Sequence, residues 1–304
     1  MRLLFCTLAL AALSISACSQ NNPVANGPSN DVTKPQNTTA QAGEQSSSET
    51  VEVTKVSATA PAEEEWGTIK GRIVVKGEVA PAPKIDIKAD ADFCGVPDPL
   101  HDQSIVVGDD GGLKNAFLFL YMSSRDPQKP KIHPSYEASA KDKVEIDNTK
   151  CLFEPRVAFA RPTQVIEGKN SDPKGHNVQN NSRVNAFNSI IPPKSSVDFE
   201  LNAAERLPTK LTCNIHPWMV GYLLVRDEPY VAISAEDGSF EIKNMPEGDW
   251  QFQFWHESIG YMADLQSDGK PVMDGRPATV TISVKNGEVV DLGELTIDGA
   301  ALKR

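Results

Sequence analysis

The chain has 304 residues, 41 of them acidic and 30 basic, for a formal charge of −11 at pH 7. That balance supplies no basic face for a nucleic-acid backbone, so nucleic-acid binding is excluded as a reading. Only five histidines are present, too few for a catalyst built on several histidine-rich centres, and we expect no enzyme.

The first 17 residues combine one basic residue, a short apolar run and small residues that end at Cys18. The run is too short for a membrane span and reads as an export signal. Its ending resembles the lipobox of bacterial lipoproteins. That resemblance implies a lipidated Cys18, a membrane-anchored chain facing the periplasm and, with Ser19 next, an outer-membrane address. Residues 18–65 are dominated by Asn, Ser, Thr, Pro, Gln and Glu. They cannot bury enough apolar surface to offset the entropy of ordering, and read as a tether. About 240 residues remain, enough for one large core or two small ones.

Beyond residue 65 the pattern is that of strands. In residues 67–76, Ile69, Ile73 and Val75 share one face, opposite Lys70, Arg72 and Lys76, a period of two. Further strands are expected at 115–121, 143–147, 155–160, 163–168, 197–201, 208–213, 220–225, 238–242, 249–256, 278–284 and 289–297. Gly238, Gly248, Gly269, Gly275 and Asn286-Gly287 supply turns between the later ones. The fold class expected is all-β, with two sandwiches.

Cysteine usage narrows the chemistry. Of five cysteines, Cys6 lies in the signal and Cys18 at the lipid site, leaving Cys94, Cys151 and Cys213. An odd thiol in an oxidising compartment pairs between chains, stays reactive or binds metal. The simplest allocation is a Cys94–Cys151 disulfide with Cys213 as a thiolate ligand; the rival leaves one of the first two as a buried free thiol. Cys213, His216 and Met219 then place a thiolate, an imidazole and a thioether within seven residues, in a turn between two strands. Soft sulfur suits reduced copper and imidazole suits both oxidation states. A second imidazole is available at His176, in the turn-rich run Asn170-Ser171-Asp172-Pro173-Lys174-Gly175-His176. Zinc is the competing metal, though thioether serves it poorly. Singly these residues have plainer readings, His176 as a surface histidine and Trp218 and Met219 as core. Their joint spacing makes the site.

With these residues in view, 143–228 resembles the cupredoxin family. It has Phe153-x-Pro155, the segment His176-Asn177-Val178, and Cys213-x2-His216 followed by Met219-x-Gly221. The loop is similar to the short amicyanin type, with Trp218 in place of Phe. The resemblance implies a Greek-key sandwich holding one copper ion per chain, with His176, Cys213 and His216 as strong ligands and Met219 as the long axial one. It further implies a hydrogen bond from the Asn177 N–H to the Cys213 sulfur. His216 would be an electron port at the surface, Pro217 and Trp218 would lie in the docking patch, and a transient redox partner would meet them. Segments 66–142 and 229–304 resemble, at family level, halves of a carboxypeptidase regulatory-like sandwich. The copper unit is either inserted between them or arranged in tandem. Alternation over 249–256 turns His256 toward the interior, which leaves His256 or Glu257 as a tuning residue or alternative fourth ligand beside the plainer reading of a satisfied strand-end histidine. Beside the electron carrier stand two rivals, a copper chaperone and a structural envelope lipoprotein. His101 and His133 are expected in solvent-facing loops with no role.

Overall fold

The computed structural model describes residues 66–125 and 127–304. The expected signal, Cys6, Cys18 and the tether lie outside them. The described residues are almost entirely strands and turns, arranged in four sheets, so the all-β expectation is met.

Two sheets draw on both ends of the described chain. In one, Gly67–Lys76 lies between Ser239–Met245 and the parallel strand Val289–Asp298, with Gln266–Ser267 and Lys270–Pro271 beyond. In another, Phe117–Leu120 lies between Val231–Ile233 and Gly248–His256, which also pairs with Gly260–Tyr261 and Val280–Val284. Alternation explains the first sheet. Ile69, Ile73 and Val75 enter a core with Leu118, Leu120, Phe252, Phe254 and Ile297, while Lys70 and Lys76 stay in water. At the Asp237-Gly238 turn φ is +80°, and the Ile73 carbonyl oxygen lies 2.1 Å from where a Cβ would sit. Only glycine fits there.

The other two sheets are formed within residues 143–225. Leu152–Glu154, Lys143–Thr149, Val165–Asn170 and Ser195–Glu200 make one. Val157–Ala160, Val220–Val225, Thr209–Thr212, His176–Asn180 and Phe187–Ile191, in that spatial order, make the other. Their shared core includes Ile146, Phe153, Ile166, Val178, Leu211 and Leu223. Thr209–Thr212 is central to the site because it is hydrogen-bonded on both sides, to Val220–Val225 and to His176–Asn180. A third group of buried side chains, Phe117, Phe119, Val157, Leu224 and Trp255, connects strands of this sheet to the Phe117–Leu120 sheet.

Residues 83–102, where no strand was expected, form a closed loop. Ile85 N–H donates to Leu100 O at 2.8 Å and Asp102 N–H to Pro83 O at 2.9 Å, closing its neck. Within it lies the single turn of helix Ala91–Cys94. Cys94 is disulfide-bonded to Cys151, so of the two open allocations the bridge is the one adopted. Ile87, Phe93 and Leu100 pack against the core of residues 143–225.

Candidate metal centre

The pairing of Thr209–Thr212 with its two neighbours brings the candidate ligands together. His176 is the first residue of its strand, Cys213 follows Thr212, and Met219 immediately precedes Val220, opposite Thr212. Three strand ends therefore meet, and the loop 213–219 closes over them. Met219 N–H donates to His216 O at 2.9 Å and Cys213 N–H to Met219 O at 3.3 Å, so the loop is internally bonded. Pro217 fixes its own φ and narrows the conformations open to His216.

His176, Cys213, His216 and Met219 are all buried, none more than 1% exposed. Donor atoms of the first three lie within 4.8 Å of one another, and Cys213 is a free thiol. The two imidazole Nδ1 atoms face each other at 2.9 Å, and His216 Nδ1 is 3.8 Å from Cys213 Sγ. The Asn177 N–H donates to Sγ at 3.4 Å. Asn177 Oδ1 accepts from Asn214 N–H, and its Nδ2 donates to Asn188 Oδ1 at 2.7 Å, bracing the loop on its neighbouring strands. Met219 packs in the same apolar cluster as Cys213.

The far side of each ring reveals its tautomer. His176 Nε2 is 2.9 Å from Asp172 Oδ2, and His216 Nε2 is 3.0 Å from Asp90 Oδ2. Both carboxyls are held below their ordinary range. For Asp90 the bond from His216 is the chief cause; for Asp172 burial is the largest influence and opposes ionisation, but the bonds from His176, Cys151 and Lys150 outweigh it. An ionised carboxylate only accepts, so each Nε2 carries its proton, and a ring that is neutral turns a bare Nδ1 lone pair inward. Two such lone pairs at 2.9 Å repel unless a cation lies between them.

Without metal that cation is a proton. Burial opposes charge on His176, but its bonds to Asp172 and to the Cys213 sulfur prevail and carry its pKa up to about 9. Burial likewise works against the Cys213 thiolate. The bonds from His176 and from backbone N–H groups, Asn177's first among them, outweigh it and lower its pKa. His216 is pushed down, first by burial and further by the His176 charge, against the pull of Asp90. The donor set fits a metal ion equally well. Bonds of about 2.0 Å to imidazole nitrogen and about 2.3 Å to thiolate sulfur place donors roughly 3–4 Å apart, as the 2.9 and 3.8 Å separations are. His176, Cys213 and His216 thus form a buried His2Cys cluster suited to a single metal ion.

Two expectations differ from the structure. The His216 edge does not reach the surface: the residue has 0% exposure, and Asp90 of the 83–102 loop lies against its Nε2. Pro217 is exposed and Trp218 half-buried, with the indole Nε1–H donating to Cys151 O at 3.1 Å and the ring 5.1 Å from that of His216. Nor do His256 and Glu257 join the ligands. His256 is buried, but its Nδ1 is 2.8 Å from Ser258 Oγ and its ring also meets the Lys114 backbone. Glu257 is committed to Arg156 by contacts of 2.5 and 2.7 Å. His101 is exposed, and His133 caps the short turn Pro134–Tyr136 beside Trp66. The sequence reading missed Asp90 and Asp172. Asp172 stood four residues before His176 in a turn, a findable position; Asp90 had only its nearness to Cys94 to mark it.

No family model matches the sequence, and no curated protein matches it either. Among solved structures, part of the chain is similar to an oxidized amicyanin mutant, at 18% identity over 28% of this chain and 82% of that one, with a TM-score of 0.26. A purple cupredoxin from Nitrosopumilus maritimus gives 20% identity over 28% of this chain and 99% of that one, TM-score 0.24. A copper-containing nitrite reductase from Thermus scotoductus gives 14% over 35% and 25%, TM-score 0.25. The overlap is local and low in identity, so the chemistry of the site is judged on its own donors.

Proposed function

We propose that this chain is a single-copper protein that carries one electron at a time between redox partners in the cell envelope, tethered through Cys18. The observation that carries the reading is the convergence of two imidazole Nδ1 atoms on one buried cysteine sulfur that forms no disulfide. His176, Cys213 and His216 would hold the ion, with Met219 as the weak fourth donor. Copper, when bound, supplies one-electron oxidation and reduction. The mixed sulfur and imidazole set suits that cycle better than it suits zinc.

The rest is the work of the chain. Carboxylates hold both rings from behind, the Asn177 N–H holds the sulfur, and strand pairing holds the loop, so the donors move little between charge states. Enclosure keeps water out. A closed site braced in this way favours a carrier over a chaperone that must release its ion. A weak, transient partner would meet Ile215, Pro217 and Trp218, the exposed and half-buried flanks of His216, rather than the His216 edge itself. The strands of 67–120 and 231–298 are read as a second sandwich into which the copper unit is inserted.

Copper-loaded protein is expected to show an intense visible thiolate-to-copper band and a mononuclear copper EPR signal. Both should vanish in Cys213→Ser. Fully loaded wild type without the band would refute the blue-copper reading.

A further inference from the structure

The two carboxylates behind the imidazoles come from different parts of the chain and are both linked to Cys151, Asp172 directly and Asp90 through the Cys94–Cys151 bridge. Asp172 is 3% exposed. Its Oδ2 receives the Cys151 N–H at 2.8 Å as well as the His176 Nε2–H, and its Oδ1 receives the Lys150 N–H at 2.7 Å. Asp90 arrives from the 83–102 loop, 126 residues before His216. It adopts a left-handed backbone, φ 49° and ψ 37°, at the head of the Ala91–Cys94 turn, and its carbonyl oxygen accepts from the Phe93 and Cys94 N–H groups. Lys174, two residues before His176, reaches Asp90 Oδ1 at 3.2 Å and Asp92 at 3.0 Å. The Cys94–Cys151 bridge ties this turn to the backbone that holds Asp172.

We propose that Asp90 and Asp172 are paired positioning residues of the metal centre, which lock both ligand imidazoles in the Nε2–H tautomer so that both Nδ1 atoms face Cys213. A neutral imidazole can carry its proton on either nitrogen, and its other hydrogen bond decides which. A ring in the other tautomer presents N–H to the ion and is no ligand. A carboxylate behind a coordinating histidine also makes the ring a stronger donor. Asp172 does this from within the ligand-bearing strands. Asp90 does it from outside them, held by the disulfide and Lys174, and in the same act closes the His216 edge to solvent. For His216 the tautomer lock is a property of the metal-free protein, whereas at His176 the bond to Asp172 keeps the Nε2 proton in place and leaves Nδ1 as the atom to be freed for a metal; the effect on affinity rests on the copper reading above.

Asp90 is the residue to test, because its side chain is 31% exposed, whereas removing Asp172 also unbinds two backbone N–H groups. Long-range nitrogen–proton NMR of metal-free protein should find a proton on Nε2 of both rings and none on His216 Nδ1. In Asp90→Ala, His216 should become a mixture of tautomers and copper affinity should fall by about 10–100-fold. Asp90→Asn, whose amide oxygen still accepts the Nε2–H, should retain the tautomer and affinity within a few-fold. The proposal is overturned by a wild-type His216 protonated on Nδ1, by an Asp90→Ala protein with unchanged tautomer and affinity, or by Asn and Ala variants that lose affinity alike. If wild type takes up no copper, the electron-carrier reading falls, and the NMR comparison of wild type with Asp90→Ala still decides the tautomer lock.

Discussion

At the scale of single residues, Asn177 shows how much one side chain can fix. Its backbone N–H meets the Cys213 sulfur while its amide ties the Asn214 N–H on one side to Asn188 on the other. Asn177→Ala keeps the first contact and strands a part-buried N–H. We expect a loss of about 1–2 kcal/mol in denaturant unfolding, with the metal-bound thiolate band still present. His256 offers a second test. Its pKa is depressed to about 4, chiefly by burial, from an ordinary value of about 6.5. The unfolded chain therefore takes up this proton first as pH falls, so the contribution is whole above pH 6.5 and lost on the way down to 4. That loss amounts to roughly 3 kcal/mol. His256→Gln should flatten the wild-type fall of stability across this window and leave the metal spectra unchanged; an unaltered slope would contradict the assignment. The clustered His176, Cys213 and His216 were legible because Cys, His and Met at short spacing have few uses together. Asp90 was not, because acidic residues are plentiful, 41 in this chain, and nothing local records which one a distant disulfide will carry to a histidine.

At the scale of elements, the strands with clean alternation were readable and the others were not. Residues 67–76, 165–170, 220–225 and 289–298 form strands close to where the pattern placed them. Phe187–Ile191 escaped notice because it is an edge strand whose Ile190 is 68% exposed, which breaks the expected apolar rhythm. The 83–102 loop escaped for a different reason. Ile85, Ile87, Ala89, Ala91 and Phe93 do alternate with charged residues, a strand-like period of two, but the segment closes on itself with a helical turn at Ala91–Cys94 and joins no sheet, so the period misleads. The bridge at Cys94 does for this loop what periodicity does for a strand. Joining residues 57 apart removes chain entropy from the unfolded state worth about 4 kcal/mol on the loop-closure model. Replacing both cysteines by serine should lower unfolding stability by that order. It should also open His216 to carbethoxylation at Nε2, a reaction that the covered wild-type ring is expected to resist. A doubly substituted protein with an equally inert His216 would mean that the loop stays in place by packing alone.

At the scale of the molecule, the strands of 143–225 and those of 67–120 and 231–298 are joined by an apolar seam and an enclosed ion pair. The seam includes Phe117, Val157, Leu224 and Trp255, with Tyr222 against Trp255 at 5.0 Å between ring centroids. At its side the Arg156 guanidinium grips Glu257, the two side chains being 13% and 5% exposed. Burial pushes the Glu257 carboxyl up, and Arg156 is what opposes it. Net stabilisation from such a pair is small, because desolvation cancels much of the attraction; breaking it is another matter. Glu257→Ala abandons a guanidinium in a dry site and should cost about 3–5 kcal/mol. Removing Arg156 as well takes away the stranded charge, so the double variant should be more stable than Glu257→Ala alone. Because neither residue touches His176, Cys213 or His216, the copper spectra should be the same in all four proteins of the cycle. Costs that merely add would show that the pair is a surface contact in solution. A shifted spectrum would show instead that the seam and the metal loop are coupled, with Tyr222, three residues after Met219, as the shortest link between them.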